Sequence, residues 1–423
     1  MKVLWFSVTP SQYSDINNRQ VRGGWIESLE SIVRKHADVE LGIAFLQNNS
    51  KPGWSEVVNE NGVYYPISLG KLGFLKRLKA KFTYKDVDVI ILKSCGEIIQ
   101  KYNPDIIQVF GAEWCFGLVK QSTNIPVVIH IQGSIPVCRN ERYIPGTSLF
   151  TVIWSNLKRP KVAFKILCDE VLWKEREVRE ERIMTMNKYF MGRTKWDKAL
   201  VRLYSPKGKY FYCSEALRTS ILDNGGKWHK PHHKKQTIIS IGDGNMLKGY
   251  DTILKTAKII KQLSDVDFVW YLLGPSRGQI NMFENITKIK ACDVCIDTKG
   301  SVRAEQVTVY LLDADLYVHA SYIDNSSNAI CEAQYIGLPI VATNVGGTSS
   351  LFSIDYPSEL LVHPNDPWYM ASTIIELLRN EEMQETASRE NKSIALERHN
   401  PQNIYKSLMD CYNTIISDNE SHS

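Results

Sequence analysis

Residues 315–347 read DLYVHASYIDNSSNAICEAQYIGLPIVATNVGG. An apolar run, a polar loop of small residues, a helix-forming stretch and a second apolar run closed by two glycines make one strand–loop–helix–strand unit. Both runs are apolar throughout rather than alternating, the pattern of strands buried on both faces of a parallel sheet. The pattern extends backward along the chain. TIISIG (237–242) and FVWYLLG (268–274) read as strands, and Ile253, Leu254, Ala257, Ile260 and Leu263 form a helix face between them. It extends forward as well, where Asp366-Pro367 reads as an N-cap with Pro at the first helical position before Ile374, Leu377 and Leu378. Asn400-Pro401 repeats that device before Ile404, Leu408, Cys411 and Ile415. Alternating strands and helices of this kind predict a doubly wound α/β sheet.

The first half of the chain repeats the theme. KVLWFSV (2–8) is a strand, Ile26, Leu29, Ile32 and Val33 fall at helical spacing, and VELGIAFL follows from Val39. Ile91, Leu92, Cys95, Ile98 and Ile99 form a helix face, and PDIIQVFG (104–111) and IPVVIHIQG (125–133) are apolar strands ending in Gly. The stretch 154–187 is dense in mixed charge and reads as helix, with KYFMG (188–192) and KYFYC (209–213) as further strands. DNGGKWHKPHHKKQ (223–236) breaks the periodicity and reads as a linker. The predicted organisation is therefore an N-terminal domain at 1–222, a C-terminal domain at 237–399, and a closing helix at 400–423 that crosses back to the first domain. Ligands of doubly wound sheets sit beyond the carboxyl ends of the strands, which places function on the Gly-rich loops.

Composition agrees with a folded globular chain. Of 423 residues, 43% are hydrophobic and 23% charged, and 51 basic against 46 acidic residues leave a formal net charge of +5. That balance argues against a nucleic-acid partner. Nine scattered Cys residues do not make a disulfide framework, and MKVLWFSV passes straight into polar sequence without a signal-peptide apolar region, so a cytoplasmic location is expected.

Three loops carry chemistry. Gly23 and Gly24 lie between the first strand and a helix, where glycine lets backbone approach an anionic ligand; a turn that needs positive φ is the plainer reading. Gly242-Asp-Gly244-Asn-Met-Leu-Lys248-Gly249 holds the equivalent place in the second domain. It is neither G-x-G-x-x-G nor a P-loop, since Tyr250 stands where the latter needs Lys, so dinucleotide binding and dehydrogenase chemistry are disfavoured. Lys248 there can neutralise a diphosphate or be an ordinary exposed lysine. The third loop runs from Asp324 through Asn325, Ser326, Ser327 and Asn328 to Glu332: small residues offer amides to phosphate or sugar oxygens, and a carboxylate eight positions on can accept paired diol hydrogen bonds.

With Lys248-Gly249, Asp324 to Glu332, Gly337-Leu-Pro-Ile-Val-Ala-Thr343 and Gly346-Gly347 in this order, the chain resembles the family-4 retaining glycosyltransferases of the GT-B fold. Gly23-Gly24 and PDIIQVFG match in the N-terminal half. The resemblance implies two Rossmann-like domains facing across a cleft, with the acceptor on the first and a nucleotide-sugar donor, UDP- or GDP-linked, on the second. It implies transfer with retention to a saccharide or lipid-linked acceptor in polysaccharide or glycolipid synthesis, with no metal and no further cofactor. Lys248 would hold the diphosphate, Glu332 the ribose hydroxyls, and Asp324 with the amides of Asn325 to Asn328 the transferred sugar and phosphate. Three positions depart from the family pattern. Asp243 stands where Arg is usual, Asp324 replaces Glu, and Gln132 aligns with a usual His, leaving His130 two residues earlier on the same face of the strand. Arg193 is a further cation that can stand in for the missing Arg or be a surface residue. These departures keep two alternatives open: a degenerate GT-B protein that binds without catalysis, and a sugar-nucleotide epimerase.

Residues 69–85, LGKLGFLKRLKAKFTYK, carry six cations and no acid, with Leu75, Leu78 and Phe82 on one helical face. Peripheral membrane contact and an acceptor-binding or solvated loop are both open readings. Cys292 and Cys295, in strand-like sequence, are expected to be buried thiols rather than zinc ligands. His229, His232 and His233 sit among lysines that repel a cation.

Overall fold

A computed structural model describes residues 1–13, 24–47, 51–71, 73–155, 157 and 160–421. The chain folds as two units: 1–139 with 149–216 and 401–423, and 140–148 with 217–400.

Unit 1 is built on a nine-stranded sheet: β1 (Lys2–Ser7), β2 (Glu40–Leu46), β3 (Pro52–Trp54), β4 (Val57–Asn59), β5 (Gly62–Leu69), β6 (Ile106–Phe110), β7 (Val127–His130), β8 (Tyr189–Gly192) and β9 (Lys209–Tyr212). The order is β3-β5-β2-β1-β6-β7-β8-β9, with β4 also on β5. The ladder from β5 to β9 is parallel, while β3 and β4 run antiparallel to β5. Val3, Leu4, Trp5 and Phe6 are all inaccessible to solvent, because helices cover both faces of the sheet. The helix Pro401–Glu420 belongs to this unit: Ile404, Leu408 and Ile415 enter the same apolar cluster as Val3 and Trp5, and Tyr412 Oη accepts from Trp5 Nε1 at 3.0 Å.

Unit 2 carries β10 (Gln236–Ile241), β11 (Phe268–Leu273), β12 (Ile296–Gly300), β13 (Leu316–His319), β14 (Ile340–Thr343) and β15 (Leu361–Val362) in the order β12-β11-β10-β13-β14-β15, all parallel. The helix Pro367–Arg379 begins as its sequence predicts, with the Asp366 carboxylate accepting from Tyr369 N at 2.9 Å. In each sheet the winding direction reverses beside the first strand, between β1 and β6 and between β10 and β13. Those are the switch points where doubly wound sheets open a crevice beyond the strand ends.

The Cys292/Cys295 expectation is corrected. Residues 291–294 form a 3₁₀ turn rather than strand, Cys292 is exposed and Cys295 is half-buried with φ +60°. The turn precedes β12, so Cys292 stays at the surface and Cys295 packs only at the margin of the core. Among the described residues no helix is long and apolar enough to cross a membrane.

Candidate functional site

In unit 2 two of the loops singled out in the sequence follow β10 and β13, and the Gly346-Gly347 pair follows β14; the three strands are adjacent in the sheet. The β10 loop ends in a 3₁₀ turn, Met246–Lys248, capped by Gly249 at φ +65°. A Cβ at Gly249 would lie 1.9 Å from the Ala320 carbonyl oxygen, so glycine is what lets this loop lie against the β13 exit. Tyr322 N donates to Leu247 O at 2.8 Å and ties the two loops together.

That seam brings Lys248 Nζ to 2.7 Å from Asp324 Oδ2. His319, at the end of β13, places Nε2 3.1 Å from the same oxygen. Burial works against ionisation of Asp324, but Lys248 and then His319 hold its carboxyl far below the usual carboxylate range. His319 is itself buried, which lowers its pKa despite Asp324, so the ring is neutral near pH 7. Asp324 is not the cap of the helix Asn328–Ile336; Ser327 is, without a side-chain capping bond. Asn325, Ser326 and Ser327 are buried, and Arg398 Nη2 donates to Ser326 Oγ at 3.3 Å.

Glu332 is 3% exposed rather than a surface helix residue. Arg218 clasps its Oε1 through Nε and Nη2, both at 2.6 Å. Burial raises the Glu332 carboxyl above its ordinary value, with Arg218 pulling the other way. Gly242 and Gly244 flank Asp243, which accepts from Asn245 N at 3.1 Å in an Asx turn and through its carbonyl from Gln279 Nε2 at 2.9 Å. Sequence reasoning missed Arg218, His319 and Arg398. His319 alone had a signal, a polar residue inside an apolar strand.

In unit 1, Gly23 lies outside the described residues, and Gly24 opens the helix Gly24–Val33 with φ +57°. β7 ends at His130, so Gln132 is already in the loop rather than on the same strand. The fully buried His130 stacks on Phe110 and meets the edge of Trp25. Its Nδ1 lies 3.2 Å from Gln108 Nε2, and Gln108 Oε1 accepts from Tyr412 Oη, so the amide donates to Nδ1 and the imidazole proton sits on Nε2. Burial, with Arg193 nearby, pushes His130 down to about 3. Gln132 Oε1 accepts from Trp25 Nε1 at 3.1 Å. Arg193 is buried, not a surface residue: it donates to Gln132 O at 3.2 Å and lies 5.2 Å over the Trp25 ring.

Two acids, the half-buried Glu113 and the buried Glu180, sit beside this loop. Burial pushes Glu113 up to about 7, and burial together with Glu113 pushes Glu180 up to about 8, although Glu180 accepts from Ile135 N at 2.9 Å. An acid with a raised folded pKa contributes stability that is complete below its unfolded value of 4.5 and is lost as pH rises through about 8. Glu180→Gln keeps an acceptor for Ile135 and removes the titration. It is expected to flatten the stability profile between pH 5 and 8, and to stabilise by about 3 kcal/mol at pH 8, a discount on ~1.4 kcal/mol per pKa unit. Urea denaturation across that range tests it; parallel profiles for variant and wild type would contradict the assignment.

Two doubly wound units with opened switch points are the architecture of the GT-B class, and solved structures share it along the whole chain. Sucrose-phosphate synthase of Thermosynechococcus elongatus superposes with a TM-score of 0.70 at 15% identity, over 99% of both chains. HepE of Anabaena, in complex with UDP and glucose, does so with a TM-score of 0.62 at 13% identity, over 98% of this chain and 100% of its own. Residues 227–393, which include Lys248, Asp324 and Glu332, match the family Glycosyl transferases group 1, and the chain as a whole has the GT-B fold. The 2-deoxystreptamine N-acetyl-D-glucosaminyltransferase of Niallia circulans is 24% identical over 183 residues, 43% of this chain; the match spans 46% of that protein's length.

Proposed function

We propose that this protein transfers a sugar from a UDP- or GDP-linked donor to a saccharide or lipid-linked acceptor, with retention of configuration, in cytoplasmic polysaccharide or glycolipid synthesis. The observation that carries the reading is the convergence of Lys248 and His319 on Asp324 at the carboxyl ends of adjacent parallel strands. A diphosphate leaving group needs cationic and amide donors placed before charge develops. Lys248 and the amides of the loop 325–328 are of that kind, so the chemistry needs no bound metal, and Glu332, oriented by Arg218, is placed to accept from ribose hydroxyls. The group 1 match and a structural relative holding UDP and glucose support the donor class. The acceptor falls to unit 1, where Gln132, Trp25 and Arg193 form one bonded group, and unit 1 meets it at a membrane surface through residues 69–85.

The first test is a thermal-shift and calorimetric titration with UDP, GDP and their sugars. A ligand at 100 times its dissociation constant adds about 2.7 kcal/mol of stability. Binding of one nucleotide diphosphate, followed by product whose anomeric proton coupling matches the donor's, is the expected outcome. No binding by either nucleotide ends the proposal.

A further inference from the structure

Two apolar strands of unit 1, in PDIIQVFG and IPVVIHIQG, run out into glycine, and both glycines make room for one side chain. A Cβ on Gly111, whose φ is +87°, would stand 2.0 Å from Glu113 Oε2, and a Cβ on Gly133 would stand 3.4 Å from Glu113 Oε1. The Glu113 carboxyl therefore lodges between the exits of β6 and β7, which pair in the sheet, next to the switch point at β1 and β6. It is half-buried rather than sealed in the core.

The helix Pro160–Met186 brings a second carboxyl to the same loop, where Glu180 accepts from Ile135 N at 2.9 Å. Ser134, between Gly133 and Ile135, is buried, and its Oγ makes no hydrogen bond although the Glu180 carboxyl is beside it. A buried hydroxyl left unmatched at a strand exit points to a group that arrives with a ligand. The cations nearby are already engaged. Arg179 holds both oxygens of Asp88, at 2.8 and 3.0 Å, and the carbonyl of Glu113. Arg193 donates to Gln132 O and lies over the Trp25 ring, while Asp197 accepts from its amide. Two carboxyls are left beside the loop, and the charge of Glu113 opposes ionisation of Glu180. A neutral diol gives such a pair hydrogen bonds without charge, whereas an ammonium gives both.

We infer that the saccharide acceptor carries a protonated amine and that Glu113 selects it, with Glu180 and Ser134 completing the site. This rests on the reading that the acceptor falls to unit 1, and it adds the chemical class. Glu113 must be ionised to hold an ammonium, so with its carboxyl raised to about 7 the site fills as pH rises through that value. It empties again where the amine gives up its proton. The charged groups around Glu113 are Arg193 and Asp197 at the β8 exit, Glu177, Arg179 and Glu180 on the helix Pro160–Met186, and Asp88 on the helix Lys85–Tyr102.

Calorimetric titration of the full chain with the methyl glycosides of glucosamine and galactosamine, and with those of glucose and galactose, tests it. At pH 7.5 at least one amino glycoside is expected to bind about tenfold more tightly than its hydroxyl counterpart, the difference between a charged and a neutral hydrogen bond. The preference should be lost at pH 5.5. Glu113→Gln should abolish both the preference and its pH dependence, and Glu113→Asp, which keeps the charge on a shorter stem, should retain part of each. The glycosides are titrated without nucleotide, so failure here is told apart from failure of the transfer reading, which UDP and GDP binding decides. Three results would overturn the inference: no binding by any of the four glycosides, equal binding of amine and hydroxyl probes, or a preference that Glu113→Gln leaves intact.

Discussion

Replacing Lys248 by Ala is expected to lower kcat/KM for the nucleotide-sugar donor by about 10²–10³-fold, the scale of losing one preorganised charge at a developing anion. The Nζ atom is fixed at 2.7 Å from Asp324 Oδ2 by a loop tied to the β13 exit, so its position is set before any ligand arrives. Loss of the ammonium also leaves Asp324 buried beside His319 alone, and its carboxyl will titrate higher. A depressed carboxyl contributes stability above its unfolded value of 3.8 that is lost as pH falls below it. The variant should therefore lose part of that contribution, and adding Asp324→Asn should recover stability without recovering turnover. Nucleotide release and urea denaturation measured on the same three proteins separate the roles. If Lys248→Ala releases nucleotide as fast as wild type, the phosphate assignment is wrong.

Legibility of the fold tracked how local the signals were. Continuous apolar runs gave β1, β2, β6, β7, β10, β11, β13 and β14, because a strand covered on both faces leaves no other pattern. Strands β3, β4 and β5 went unread. The Asn61-Gly62 pair marks the β4–β5 hairpin, but β3 and β4 are three-residue antiparallel strands without a buried run, and the run of β5, which pairs in parallel with β2, is interrupted by Pro66. Within the site, Lys248, Asp324 and Glu332 lay in recognisable loops. Arg218 sits 114 positions from Glu332 in a segment without periodicity, and only tertiary folding joins them. Exposure was equally hidden. Nothing local in the sequence tells a surface Arg from a buried one, yet Arg193 is buried where it donates to Gln132 O, and Glu332 is buried against Arg218.

The glycine pair that closed the decisive stretch has a steric role that leads to the second large effect. Gly346 has φ +53°, and a Cβ there would stand 2.0 Å from the Asp324 carbonyl oxygen; the next amide, Gly347 N, donates to that oxygen at 3.0 Å. The contact is backbone against backbone, so no side chain can turn aside to relieve it. Gly346→Ala adds a left-handed penalty of about 1–2 kcal/mol for an L-residue to the displacement of one loop. A total destabilisation of about 3 kcal/mol or more is expected. If the loop yields instead, Asp324 moves away from Lys248 and His319, and a shift of ~1 Å at such a group costs about 10²-fold in rate. Gly278→Ala is the matched control: it lies in the helix Arg277–Thr287 with open space at its Cβ, and should stabilise by up to ~1 kcal/mol without changing turnover. Denaturation curves and donor turnover for both variants decide the matter. Gly346→Ala with wild-type stability and rate would mean that the β14 exit does not hold Asp324 in place.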